Sequence, residues 1–212
     1  MKDMNITTEK LVALTFDDGP NLTTTPLVLD KLERHGVAAS FFLIGEFITE
    51  STKPVVKREI ALGYEICNHS WSHPFMDQMT PEQIKKEIED TDSLLHELTG
   101  KAPAFFRPPY IAVKDEMYEV IDLPFINGIN CQDWDEKVTA TERTHLILSQ
   151  VKDGDIILLH DLMDNPNTVE ALDAIITGLQ EQGFTMVTIS KLFERKGINP
   201  RVNKKLWTNV LE

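Results

Sequence analysis

The stretch Leu11-Val12-Ala13-Leu14-Thr15-Phe16-Asp17-Asp18-Gly19-Pro20 decides how this chain folds. An uncharged run leads straight into two adjacent carboxylates and a Gly-Pro turn. Apolar residues at consecutive positions, instead of alternate ones, mark a strand covered on both faces, the habit of parallel sheets in α/β proteins. Outward from it, short runs rich in β-branched and aromatic residues predict further strands near 39–45, 64–69, 104–107, 125–131, 155–160 and 185–189, about seven in all. Segments of helical period separate them. Thr80, Pro81 and Gln83 supply an N-cap, a first-turn proline and a capping-box partner. Ile84, Ile88, Thr91, Leu95 and Leu98 then form one stripe ending at Gly100. Asn165 and Pro166 open a similar helix, with Val169, Leu172, Ile176 and Leu179 as its stripe and Gly183 beyond it. Other helices are expected near 24–35, 53–62, 115–121 and 140–151. Strands alternating with helices predict βα units around a parallel sheet. Without a linker or internal repeat, residues 1–212 read as a single domain, with 197–212 a C-terminal extension whose Trp207 docks on the body.

The 212 residues hold 21 Lys+Arg against 34 Asp+Glu, a formal net charge of −13, which excludes a basic nucleic-acid-binding domain. Hydrophobic residues at 42% with 26% charged are ordinary for a globular chain. A chain of this length buries roughly 70% of its unfolded surface, enough for a core. No apolar run approaches the roughly 18 residues of a membrane span. The opening MKDMNITTEK has no apolar region of the kind a signal peptide needs, so none is expected in the sequence as given. Cys67 and Cys131 each lie in a strand-like apolar run and are expected to be reduced, packed as small hydrophobes.

A closed barrel of parallel strands carries its reactive residues at the C-terminal strand ends. Asp17 and Asp18 end the first predicted strand, His69 the third, Arg107 the fourth and His160-Asp161 the sixth, while Asp133 follows the fifth. Loop polarity alone gives no reason for that coincidence. His69-Ser70-Trp71-Ser72-His73 puts two imidazoles four residues apart, within reach of one ion, and Pro74 fixes the turn after them. Such a pair by itself is a common surface or core feature. With Asp18 it becomes two histidines and a carboxylate, the donor set of a catalytic zinc site that keeps a position open. A divalent ion lowers the pKa of a water bound to it from 15.7 to about 7.

Of Asp17 and Asp18, one would serve the ion and the other accept a proton. Consecutive strand residues point to opposite faces, and Gly19-Pro20 offers a turn to bring both round; a plain Asp-Asp-Gly-Pro surface turn is the alternative. His160, after the apolar Ile156-Ile157-Leu158-Leu159, is the candidate general acid, with Asp133 placed to hold its imidazole cationic. His35 reads as meeting a helix dipole, His96 and His145 as helix-surface residues, and the Lys/Glu run 82–90 as a solvated face. Neither a phosphate-cradling glycine loop nor a Ser or Cys nucleophile triad emerges.

Taken in order, Thr15-Phe16-Asp17-Asp18-Gly19-Pro20, His69 to His73, Arg107-Pro108-Pro109-Tyr110, Asp133-Trp134 and Leu158-Leu159-His160 resemble the motifs of the polysaccharide deacetylases, carbohydrate esterase family 4. Segments 23–45 and 63–74 resemble the family between motifs, so the likeness runs over about residues 10–195. It implies an α/β, TIM-like fold, a distorted (β/α) barrel. It also implies one divalent metal, zinc by family habit with cobalt or another divalent ion able to substitute, held by Asp18, His69 and His73. Asp17 would be the base, paired with Arg107, and His160 the acid, paired with Asp133. The Tyr110 backbone N–H would stabilise the oxyanion, and Trp134 and Leu158 would line the slot for the acetyl methyl. The implied substrate is an acetylated glycan, with N-acetyl groups of a peptidoglycan- or chitin-type polymer first. O-acetyl xylan is the alternative, and from another class a barrel that binds glycan without turnover. The family's usual work is secreted or at the cell envelope, which suits a trimmed chain; a cytoplasmic oligosaccharide enzyme is the other reading. One departure is Ile111, where the family commonly has glycine after Arg-Pro-Pro-Tyr, and it bears on substrate preference more than on chemistry.

Overall fold

The first strand, β1 (Lys10–Gly19), is buried on both faces as its consecutive apolar residues require. Its two-residue period divides it between two cores. Val12, Leu14 and Phe16 pack outward with Val28, Leu29, Leu32, Leu172, Ile176 and Leu179 of the surrounding helices. Leu11 and Ala13 pack inward with Phe42, Cys67, Ile126, Ile156 and Trp207. The structure, a computed structural model, describes residues 9–212. The start of the N-terminal stretch judged above to lack an apolar leader region lies outside the described residues.

After β1 come α1 (Thr24–His35), β2 (Ala39–Leu43), α2 (Lys53–Ala61), β3 (Glu65–Asn68), α3 (Pro81–Thr99) and α4 (Asp115–Val120). The chain continues through β4 (Phe125–Ile126), β5 (Ile129–Asn130), α5 (Ala140–Gln150), β6 (Ile156–His160), α6 (Pro166–Glu181), β7 (Phe184–Met186), α7 (Ile189–Lys196) and β8 (Leu206–Trp207). The main sheet runs β3-β2-β1-β6-β5, with β7 on the N-terminal part of β1, and β4 pairs β8; every named pair is parallel. Phe106 bridges Asn68 to Phe125 and so joins β3 to β4. This is the distorted α/β barrel expected, with its strand ends gathered on one rim.

Four details differ from the sequence reading. Residues 104–107 form no strand but the single bridge at Phe106, because Pro103, Pro108 and Pro109 leave too short a run of donors for a ladder. The strand expected over 125–131 breaks into β4 and β5 around Asn127-Gly128. A Cβ on Gly128 would lie 2.8 Å from the Leu158 Cβ and 2.9 Å from the Ile156 carbonyl oxygen, so the glycine lets this backbone approach β6. The segment 197–212 does more than dock. Trp207 is buried on Phe193, and β8 pairs with β4 while Thr208 accepts from the Ile156 N–H, so the segment supplies backbone to the barrel wall. The helix α7, started by Thr188 accepting from the Lys191 N–H, was not anticipated. Both cysteines are free and buried.

Candidate active site

Asp17 and Asp18 both reach one cavity at the C-terminal rim, and the device is a bulge in β1. Asp17 pairs with Phe42 of β2 and Gly19 with the next residue, Leu43, leaving Asp18 as the extra residue, with φ 72°. An aspartate tolerates that left-handed backbone better than most side chains. The turn assigned above to Gly19-Pro20 is thus made by Asp18 itself. Gly19 has a different duty: a Cβ there would lie 2.6 Å from Asp161 Oδ2. Asp161 faces away from the cavity, accepting from the Thr25 hydroxyl, while its carbonyl accepts from Asn21 Nδ2 at 2.5 Å. Burial pushes its carboxyl up to about 7.

His69 leaves the end of β3 with Nδ1 2.7 Å from the Arg107 carbonyl. A carbonyl only accepts, so Nδ1 carries the proton and Nε2 presents its lone pair to the cavity. Ser70 and His73 both adopt left-handed backbone, φ 67° and 55°, which curls the loop until the two rings lie 4.8 Å apart. Residues not singled out from sequence hold this curl. Asn68 Oδ1 accepts from the Ser70 N–H at 2.7 Å, and Ser70 Oγ accepts from the His73 N–H at 3.0 Å. Glu87 accepts from the backbone N–H groups of Trp71 and Ser72 and from the Ser72 hydroxyl. Glu87 lies in the Lys/Glu run assigned above to a solvated face; a helical stripe does not show which of its acids meets a loop from elsewhere.

Asp18, His69 and His73 place their ligand atoms within 4.8 Å of one another, the one such triad among the described residues. Asp18 Oδ1 is buried without a hydrogen bond, although both histidine Nε2 atoms stand 3.4 Å from it. Buried polar atoms in folded proteins are as a rule paired. Burial opposes the Asp18 charge, yet His69, ahead of His160 and His73, holds the carboxyl down to about 2. Burial and the His69 charge bring His73 down to about 4, in its ligating neutral form. Burial also disfavours charge on His69, but Asp17 and Asp18 outweigh it and raise its pKa. An orphaned carboxylate oxygen, two converging lone pairs and a local preference for positive charge fit a divalent cation with nitrogen and oxygen ligands.

Beside this triad stand two ion pairs. Arg107 is fully buried, with its guanidinium 4.1 Å from the Phe42 ring centre, and its Nη1 donates to Asp17 Oδ1 at 2.5 Å. Nη2 donates to the Asn127 carbonyl at 2.8 Å. With Oδ1 engaged, Asp17 Oδ2 lies 3.7 Å from His69 Nε2. His160 Nδ1 lies 2.8 Å from Asp133 Oδ1, and Asp133 Oδ2 accepts the His160 backbone N–H at 2.7 Å. Burial opposes charge on His160, but Asp133 outweighs it and lifts the imidazole to about 9.

The cavity between the pairs is lined by Asp17, Asp18, His69, His73, Tyr110 and Ile111 on one side, and by Trp134, Leu158 and His160 on the other. Every residue proposed from sequence for direct contact with ion or substrate borders this space. Arg107 and Asp133 stand behind it. Trp134 is 54% exposed with its ring roughly perpendicular to that of His160, and Tyr110, 57% exposed, stacks on Phe75 with ring centres 4.0 Å apart. Tyr110 and Ile111 both have left-handed backbone, φ 58° and 54°. That conformation explains the glycine usual at position 111, and a β-branched side chain there holds strain of about 1–3 kcal/mol.

The profile of the polysaccharide deacetylase family matches residues 5–123. The bifunctional xylanase/deacetylase of Pseudobutyrivibrio xylanivorans is 49% identical over 206 residues, 97% of this chain and 34% of that protein. The peptidoglycan-N-acetylglucosamine deacetylase of Listeria monocytogenes is 38% identical over 190 residues, 89% of this chain and 40% of that protein. The chain thus spans well under half the length of either relative. Among solved structures, the Xyl-CE4 domain of a multidomain xylanase from the hindgut metagenome of Trinervitermes trinervoides superposes with a TM-score of 0.94 at 48% identity, covering 96% of this chain and 99% of that one. A family 4 acetyl xylan esterase from Clostridium thermocellum, in complex with a cobalt ion, gives 0.91 at 42%, covering 95% and 99%. With five motifs meeting in one cavity and relatives matched over nearly its whole length, the chain belongs to the polysaccharide deacetylases of carbohydrate esterase family 4.

Proposed function

We propose that the chain is a cation-dependent hydrolase that releases acetate from an acetylated glycan, and that its preferred substrate is O-acetylated xylan. The observation that carries the hydrolytic reading is the pair of opposed proton carriers, Asp17–Arg107 and Asp133–His160, on either side of the Asp18-His69-His73 triad. A divalent cation on that triad would supply Lewis-acid polarisation and water activation. Asp17, anchored through Oδ1, takes the proton of the attacking water at Oδ2. The Tyr110 backbone N–H donates to the oxyanion as the water oxygen bonds to the acetyl carbon, a contact worth about 3 kcal/mol when removed. His160 gives its proton to the leaving oxygen or nitrogen as that bond breaks, and Asp133 steadies the imidazolium until then. Trp134 and Leu158 flank the acetyl methyl.

Sequence resemblance put N-acetyl amino sugars first. Three proteins named for xylan match nearly the whole chain at 42–49% identity, which supports the O-acetyl reading. The second reading, an N-deacetylase, is favoured by the likeness to the peptidoglycan-N-acetylglucosamine deacetylase, 38% identical over 89% of this chain. Mass spectrometry of reactions with acetylated xylooligosaccharides, N-acetylglucosamine oligomers and peptidoglycan fragments, counting acetyl groups lost, separates the two. Acetate release should stop on exhaustive chelation and return with zinc or cobalt. Unchanged turnover in protein verified to be metal-free would refute the cation requirement.

A further inference from the structure

Arg143, on α5, is 1% exposed, and four hydrogen-bonding contacts tie its guanidinium to neutral oxygens. Nε donates to the Val138 carbonyl at 2.9 Å and Nη2 to the Asp135 carbonyl at 2.9 Å, gripping the segment that follows Asp133 and Trp134. Nη1 donates to Asn165 Oδ1 and to Thr168 Oγ1, both at 2.6 Å, gripping the start of α6. Burying a guanidinium is costly. A cross-link that only tied α5 to α6 could be built from apolar packing at lower cost.

The buried charge orders the hydrogen bonds around Asp133. A threonine hydroxyl has one proton and two acceptor lone pairs. Thr168 Oγ1 accepts from Arg143, whose guanidinium can only donate, and faces a carboxylate oxygen that can only accept. Its one proton must therefore go to Asp133 Oδ2, 2.9 Å away. Arg143 likewise fixes which end of the Asn165 amide is oxygen, turning Nδ2 toward the carbonyls of Asp133 and His160 at 3.1 and 3.2 Å. Asp133 Oδ2 is then saturated by Thr168 and the His160 backbone N–H, and Oδ1 is left for the imidazole Nδ1–H. The outcome is a single tautomer and ring plane, with Nε2 free to exchange its proton. Asn165, expected from sequence to open α6, makes no capping bond with its side chain and is committed to this network instead.

We infer that Arg143, acting through Thr168 and Asn165, is a positioning residue for proton donation by His160. This rests on the reading of His160 as the acid given above. The discriminating property is dependence on the leaving group. A sugar alkoxide or amine cannot depart without a proton, whereas 4-nitrophenolate is a stable anion and departs unaided, so a misaligned donor harms the first and spares the second.

The test measures kcat and KM of the cation-loaded enzyme on acetylated xylooligosaccharides, N-acetylglucosamine oligomers and 4-nitrophenyl acetate. Thr168→Val keeps volume and removes the hydroxyl; Thr168→Ser keeps the hydroxyl. Thr168→Val should lose about tenfold in kcat on the glycan, the size of one charge-assisted hydrogen bond, with KM unchanged and less than about threefold lost on the aryl ester. Thr168→Ser should restore the glycan rate. Arg143→Met should lose up to about a hundredfold on the glycan with the same selectivity; the threonine pair decides the matter if that variant does not fold. Equal losses on glycan and aryl ester, or a fully active Thr168→Val, would overturn the proposal. His160→Asn serves as control. If it too fails to distinguish the substrates, the assignment of His160 as acid falls, and this proposal with it. If His160→Asn is selective and the Thr168 and Arg143 variants are not, only the present proposal falls.

Discussion

Replacing Asp133 with asparagine should move the titration of His160 across neutral pH. The imidazole, ordinarily at 6.5, stands at about 9 in the folded protein because the Asp133 carboxylate outweighs the burial that opposes charge. That difference corresponds to about 3 kcal/mol favouring the protonated ring. At pH 7.5 about 97% of the wild-type rings carry the proton. Without the carboxylate, burial is the largest remaining influence and only the weaker pull of Asp17 and Asp18 opposes it, so the ring falls from about 9 toward the ordinary 6.5, where about 10% would be protonated. The acid is needed in its protonated form, so kcat at pH 7.5 should drop by up to about tenfold and the alkaline limb of the pH–rate profile should shift to lower pH. A histidine raised in the folded state contributes in full below about pH 6.5 and loses the contribution as pH rises through about 9, so Asp133→Asn should destabilise the protein most on the acidic side of that window. The assay is NMR titration of the His160 ring in metal-free wild-type and Asp133→Asn protein, alongside kcat against pH with cation restored. An Asp133→Asn ring still titrating near 9, with an unmoved alkaline limb, would refute the reasoning.

Asp17→Asn should keep cation affinity within a few fold, since Asp17 is not in the ligand triad, yet lose about a hundredfold or more in turnover; calorimetric cation titration beside acetate release checks both halves. Gly19→Ala should destabilise the protein by about 1–3 kcal/mol, because its Cβ would lie 2.6 Å from Asp161 Oδ2 where the chain is tightly packed; urea denaturation measures it. Glu59, on α2, is wholly buried with both carboxylate oxygens unpartnered, and burial pushes its pKa well above 4.5. An acid raised in the folded state costs stability increasingly as pH climbs above its unfolded value. Glu59→Met should therefore raise the melting temperature at pH 7.5, and by less at pH 4.5. A lower melting temperature at both would show that Glu59 has an unrecognised partner.

The strand positions, the helix stripes and the ligand triad were legible because each rests on a local rule. Two-face burial shows as unbroken apolar residues in β1, capping shows at Thr80 and Gln83, and histidines four residues apart show as a spacing. Phe106, the β4–β5 break and β8 were not legible, since short strands draw their pairing from partners far along the chain. Nor was the commitment of Asn68, Glu87, Arg143, Asn165 and Thr168 to the site. As polar residues on loops and helices they look like any solvated surface, and only the packing of α3, α5 and α6 against the rim turns them inward.

The sequence alone determined which metal-ligating, acidic and basic groups this chain can offer to a site, because donor and acid–base character belong to the side chain. It also determined that they meet, because parallel strands deliver their C-terminal ends to one rim. The tertiary structure decided how each group is held. A left-handed Asp18 brings both carboxylates into one cavity, the Arg107 carbonyl sets the tautomer of His69, and the chain from Arg143 through Thr168 orients the Asp133–His160 pair. Orientation depends on hydrogen bonds between residues far apart in the chain, 38 positions for His69 and Arg107 and 90 for Asp17 and Arg107, and closing such contacts is a property of the folded chain that no local window contains.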